Sequence, residues 1–582
     1  MKECSFSLWE GVGARAVFGI LLSLALAACG ESRSVTERAT EPDSSFDPNS
    51  LSYKAIPPTD LPPEGTRSLF DHIIAENGSL PYPFEELVRL IASYDAEGRA
   101  PVTVLIPDGR SLLKGQADFR RPRIILAADP RPAPSEAELG PLLRGRLFLG
   151  FVEGAAEIEI ISYNEAAGRF EFQLVKDYRE GGSPRLVYAK RAICTTCHAG
   201  ATPIFPVRPW EETSGQPAIS QAILEARGAR AGNAYHGVPI VNPLSAPETI
   251  DELTEVGNVI PTVQRVWIDG CGGDPAQGPA CRRQMLKLAL RYLVQPAEFN
   301  TADPDYRRLV ELQTPHWPAG GIALPNGDLL NRNPFVDKPR RTPWQWLAGL
   351  LPAGSEDEVA DAKLSDFDKL PPLRRELDPL TPRAPKEILQ PGAPTAIAGL
   401  ARMFSDNDKR LLERHSGYDL ARLQAAVDKP ALDAVLGPAP FQRQATMQAL
   451  LAALGARPPQ ASFLDTAEMS APMVEGMKPI AIREGSVLKL YEHYCFGCHR
   501  GNPSAKLDFM NGATEEEVLA RIRETTSIRE ALDYERYLGT DKANKLMPPV
   551  NSWQRRELDQ ARAEGRDDIA RMLEAVPGLF DF

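Results

Sequence analysis

Two short runs, Cys194-Thr195-Thr196-Cys197-His198 and Cys495-Phe496-Gly497-Cys498-His499, constrain this chain more than anything else in it. On a helical turn, positions i, i+3 and i+4 share one face. Two thiols so placed can form thioethers to porphyrin vinyl groups, while the imidazole one step on reaches the iron from below. Cys-x-x-Cys-His is the attachment signature of c-type haem. The chain has 8 Cys and 7 His in 582 residues. One chance occurrence is then expected on the order of 10^-3 times, and two far less often. A zinc site would want a second Cys or His pair at matching spacing, and neither run has one nearby. A thioredoxin-like dithiol would not need the following His. Two covalently bound haem c groups are therefore expected, on Cys194, Cys197, Cys495 and Cys498, with His198 and His499 as iron ligands.

The remaining cysteines fit an exported protein. Cys271 and Cys281 bracket a Gly/Pro loop that reads as a disulfide, worth about 3 kcal/mol by loop entropy. Cys4 and Cys29 lie in the N-terminal segment. There Arg15 precedes an apolar run from Ala16 to Ala28, too short to span a bilayer and right for a signal peptide. The run ends in Leu26-Ala27-Ala28-Cys29-Gly30, which resembles the lipobox of bacterial lipoproteins. The resemblance implies lipidation of Cys29, and acyl chains would hold the mature protein at a membrane surface. Gly30 is not the Asp that retains such proteins at the inner membrane, which favours the outer one, facing periplasm or cell surface. A formal net charge of -12 argues against a nucleic-acid partner.

Residues 1–29 are thus a signal and 30–65 a Ser/Thr/Pro-rich tether. From 66 to 294 a mixed domain is expected. Helical spacing over Ser68–Ala75 and Phe84–Tyr94 gives way to strands at Val102–Ile106, Ile124–Ala127, Leu147–Val152, Ile158–Tyr163, Phe170–Val175 and Leu186–Tyr188. The first haem motif then sits at the exit of a small antiparallel sheet. Residues 295–395 are dense in Pro, Gly and Asp and read as an irregular wrapping segment. Residues 396–482 read as a helical bridge or packing layer. The fold class expected is α+β.

From about Arg483 the order of signals is more specific. A helix carrying Tyr491 leads straight into Cys495, a second helix begins near Thr514, and Met547-Pro548-Pro549 precedes a helical C-terminus. Residues 483–582, roughly the last sixth of the chain, resemble class I cytochrome c domains, an all-helical fold around one haem. The resemblance implies Met547 as the axial ligand opposite His499, with a raised reduction potential, since a thioether favours ferrous iron. Met510 follows its motif too soon to compete, and His493 is expected beside the leading helix and not as a ligand.

The first iron has no comparably marked sixth ligand. His236, in Tyr235-His236-Gly237-Val238, ranks first, ahead of His72 and His316. Met285 reads as core filler. No nucleotide loop and no Ser/His/Asp arrangement with supporting spacing is present, and no catalytic residue is assigned. The function expected is electron transfer between redox partner proteins, with no enzymatic step. A dihaem oxidoreductase, similar to bacterial dihaem peroxidases or the rubber-oxygenase group, is the alternative. The spacing of about three hundred residues between motifs does not match the compact peroxidase arrangement.

Overall fold

A computed structural model of the chain describes residues 61–107, 117–189, 191–194, 198–206, 210–228, 232–326, 328–329, 385–463, 482–499, 509–510, 512, 514–525, 527–540, 543–548 and 553–576. The expected signal with Cys29, and the tether as far as residue 60, lie outside the described residues.

Two short helices open the described chain. Ser68 caps α1 (Leu69–Asn77) by accepting from the Asp71 amide at 3.2 Å, and Gly78 ends it at φ +76°. Helix α2 (Phe84–Ala92) buries Phe84, Leu87, Val88 and Ile91. Then come β1 (Val102–Ile106), β2 (Arg123–Ala127), β3 (Leu147–Val152), β4 (Glu157–Asn164), β5 (Arg169–Lys176) and β6 (Arg185–Tyr188). They form one antiparallel sheet in the order of the chain. The hairpin expected around Asn164–Gly168 joins β4 and β5. The Asn164 side chain accepts from the Ala167 amide at 3.1 Å, and Gly168 turns at φ +65°, where a Cβ would lie 2.6 Å from Pro440.

Strand β6 runs into a single helical turn, α3 (Arg191–Cys194). It is followed by β7 (Phe205–Pro206), α4 (Pro217–Arg227), the two-residue strands β8 (Ala234–Tyr235) and β9 (Val238–Pro239), and the long helix α5 (Ser245–Arg265). Every residue of β3 is buried, because both sheet faces are covered. Cross-strand partners share a face. Phe151, Ile158 and Val175 lie on one face. That face receives α1 and α2: the Phe70 amide donates to Ser162 Oγ at 2.9 Å, and Phe84 stacks on Phe151 with ring centroids 4.7 Å apart. Phe148, Ile161 and Phe172 lie on the opposite face. There Phe148 joins Phe205, Trp210 and the α5 residues Ala246, Ile250 and Leu253 in a second apolar cluster.

Cys271 and Cys281 are bonded and fully buried, with Cα atoms 5.4 Å apart. The bridge ties the end of α5 to α6 (Gln277–Val294), whose buried Arg282 donates to the carbonyls of Trp267 at 2.9 Å and Gly272 at 2.6 Å. After α7 (Pro304–Gln313), β10 (Ile322–Leu324) and β11 (Asp328–Leu329), most of the expected wrapping segment lies outside the described residues. Strand β12 (Glu387–Leu389) pairs back on β10.

The helices expected as a bridge or packing layer are α8 (Pro394–Ala401), α9 (Asp406–Ser416), α10 (Leu420–Val427) and α11 (Arg443–Ala453). They do not bridge. Leu400, Met403, Leu411, Leu412, Met447 and Leu450 share one core with the first sheet face, so this part of the chain completes the mixed domain. Met285 is fully buried in the same core. A second core belongs to the C-terminal residues alone, from Leu488 to Val576. It is built from α12 (Leu488–Tyr494), α13 (Phe496–His499), α14 (Glu515–Glu524), α15 (Ser527–Ala531), α16 (Tyr534–Tyr537), α17 (Trp553–Ala563) and α18 (Asp568–Leu573). Mixed helix and antiparallel sheet together make the fold α+β. Among the described residues, no helix is long and apolar enough to cross a membrane.

Candidate haem-attachment site

In each Cys-x-x-Cys-His run a hydrogen bond joins the last residue to the first. The His198 amide donates to the Cys194 carbonyl at 2.9 Å, and the His499 amide to the Cys495 carbonyl at 3.0 Å. This i to i+4 closure places first thiol and imidazole on one face. Cys197 lies outside the described residues, and Cys498 is on α13. Helix α3, which ends at Cys194, packs against α13, which holds Cys498 and His499. Motifs about three hundred residues apart in sequence therefore meet.

The first turn is braced by the sheet. Glu171, fully buried on β5, pairs with Arg169 at 2.7 Å and with Arg191 at 3.1 Å, and Arg191 also donates to the Phe170 carbonyl at 2.7 Å. The Arg191 guanidinium lies 5.6 Å from the Phe172 ring, and that ring lies 5.6 Å from the His198 ring. Removing one partner from such a buried pair leaves the other uncompensated. Glu171→Ala is expected to destabilise the protein by about 3 kcal/mol, read in denaturant unfolding. Arg169→Ala, at the more exposed partner, costs less.

His198 Nδ1 lies 3.0 Å from the Thr202 carbonyl and 3.3 Å from the Ile204 amide. One nitrogen cannot serve both. A proton on Nδ1 satisfies the shorter contact, whereas a lone pair there would face the carbonyl oxygen. Nδ1–H to Thr202 leaves Nε2 free for a metal, the second-sphere arrangement that orients ligating imidazoles. Thr202 is extended at φ -112° and ψ 156° because Pro203 follows it. Burial pushes the His198 imidazole down to about 4, so the ring is neutral at ordinary pH. The described residues of both turns fit covalent haem: Cys194 and Cys495 for attachment, His198 and His499 for iron. Haem, where bound, supplies one-electron chemistry at its iron. Among the described residues, no three His, Cys, Asp or Glu side chains converge as a separate metal site.

His236 is not brought to His198. It and Gly237 are the two positive-φ residues, at 48° and 78°, of the tight hairpin between β8 and β9. Its ring lies edge-on to Phe151 at 5.2 Å, and Nε2 is 3.3 Å from Glu153. Phe151 and Phe172 are on opposite faces of the sheet, so the sheet separates the two histidines. His72 stacks on Phe463 beside the α1 face, and His316 sits against Gly272 near the disulfide. The Phe205 and Trp210 rings close the sheet face around Phe148, with Trp210 Nε1 lacking a partner.

In the C-terminal unit, Tyr491 is buried and donates to the Met572 carbonyl at 2.8 Å, crossing α12 onto α18. The His499 ring lies 4.4 Å from Phe509. Met510 donates its amide to the His499 carbonyl at 3.0 Å, which keeps it beside that histidine's own turn. His493 is exposed and pairs with Glu557 at 2.6 Å. Met547 is half-buried after a short 3-10 turn, its amide donating to the Ala531 carbonyl at 2.8 Å. Its carbonyl accepts from Tyr534 Oη at 2.9 Å. Comparison with protein-family models, with curated proteins and with solved structures returned no match.

Proposed function

We propose that the chain is an exported, lipid-anchored dihaem c-type cytochrome that passes electrons between redox partner proteins at the periplasm or cell surface. The observation that carries this reading is the contact between α3, which ends at Cys194, and α13, which holds Cys498 and His499. Electron passage between two centres needs such closeness, and independent haem modules would not. The hydrogen-bonded Nδ1 of His198 and the fixed backbone of Met547 support axial roles for both. The helix order and the Tyr491 contact support a class I cytochrome c-like C-terminal domain. Cys29 serves as the lipid anchor, and the outer membrane is the favoured location.

A second reading, chemistry at the first haem, is favoured by the engagement of His236 with Glu153 across the sheet. With His236 held there, the sixth position at the first haem is open to an exogenous molecule on this reading. Visible and EPR spectra with carbon monoxide added to the reduced protein decide between them. Electron relay predicts two low-spin haems that ignore the gas. One high-spin haem that binds it, lost with Cys194→Ser and Cys197→Ser, makes peroxide or oxygen turnover the function to assay.

A further inference from the structure

We infer that Tyr534 is the positioning residue that holds Met547 to the second iron, a proposal resting on the axial role of Met547 given above. Three hydrogen bonds fix the backbone around that thioether. The Met547 amide donates to Ala531, the Met547 carbonyl accepts from Tyr534 at 2.9 Å, and Arg555 Nη1 reaches the Pro548 carbonyl at 3.4 Å. The first and third are made by main chain and by a charged group that has other partners. The Tyr534 hydroxyl is the bond that a single-atom change removes.

Tyr534 is built to stay where it is. It is buried at the start of α16, where Asp533 caps the turn by accepting from the Arg536 amide at 3.1 Å. Two guanidinium groups flank its ring, Arg555 at 4.7 Å and Arg562 at 5.0 Å from the centroid. Arg555 is itself held by Asp559 at 3.0 Å. A sulfur ligand leaves iron when its loop swings, and a buried carbonyl that loses its donor has less reason to stay.

The test uses the full haem-loaded chain and the far-red band of ferric haem with methionine sulfur bound. In Tyr534→Phe, the alkaline loss of this band is expected about one pH unit lower, a tenfold shift in ligand exchange. The ferrous second haem should also begin to take up carbon monoxide. Tyr537→Phe is the matched control. Tyr537 lies on the same short helix, also buried, but its hydroxyl goes to Glu530 at 3.0 Å. Its midpoint should not move. An unshifted Tyr534→Phe, or an equal shift in Tyr537→Phe, overturns the role of Tyr534 while Met547→Leu still abolishes the band. A band absent from the unaltered protein, or surviving in Met547→Leu, instead removes the axial reading of Met547 and this proposal with it.

Discussion

Serine at both Cys495 and Cys498 should leave an exported chain with half of its covalent haem, and serine at Cys194 and Cys197 the other half. The quadruple variant should carry none. Pyridine haemochrome content and intact mass read this directly. The two losses should differ in their mechanical cost. The N-terminal core runs from Leu69 to Ala453 through the sheet, the disulfide and α8–α11, with the first turn at its margin. Losing the first haem should leave that core's cooperative unfolding in place. The C-terminal core is the smaller of the two, between Leu488 and Val576, and Phe496 of the second turn belongs to it. Losing the second haem should cost that unit its unfolding transition. If neither pair of substitutions changes haem content, the Cys-x-x-Cys-His turns are not attachment sites.

Met547→Leu should turn the second haem high-spin, open it to carbon monoxide and lower its midpoint potential. The decrease is expected to be on the order of 100 mV, within the roughly 0.8 V that axial ligands span. The sign follows from the ligand: a neutral thioether favours ferrous iron, and its loss removes that preference. Leucine keeps the volume and apolar character, so the change isolates the sulfur. Met510→Leu is the contrasting case. Met510 is fully buried beside Leu488 and Tyr491 in the C-terminal core, and its substitution should leave both spectrum and potential alone. Equal effects from the two would mean that core packing governs the haem and that neither methionine is a ligand.

What could be read from the residues follows the range of the interactions involved. The six strands were legible because short apolar, β-branched and aromatic runs are local signals, and the alternation of β4 and β5 around Asn164–Gly168 marks its own hairpin. The disulfide was legible from two leftover cysteines around a Gly/Pro loop. The helices at 394–453 were legible as helices but not as part of the sheet's core, since nothing local says which face they cover. The placement of His236 was not legible for a related reason. A His-Gly pair suits a mobile loop and a tight hairpin turn equally, and only the strands on either side decide. The sheet between His236 and His198 is likewise invisible in one dimension. Thr202 was within reach: a proline directly after it forces an extended residue four positions past His198, aiming a carbonyl back at the ring. The contact of the two turns was not.

That contact also orders the protein's assembly. Residues 194 and 495 are separated by most of the folded chain, so their meeting closes one of its longest loops and belongs late in folding. Thioether formation needs each pair of thiols exposed to the machinery that delivers the porphyrin. Once α3 and α13 lie against each other, both turns are partly screened. If both turns carry haem as proposed, loading must therefore precede their meeting. A cell short of that machinery would accumulate chains loaded at one turn and unable to close upon the other, and proteolysis between the two cores would find those first.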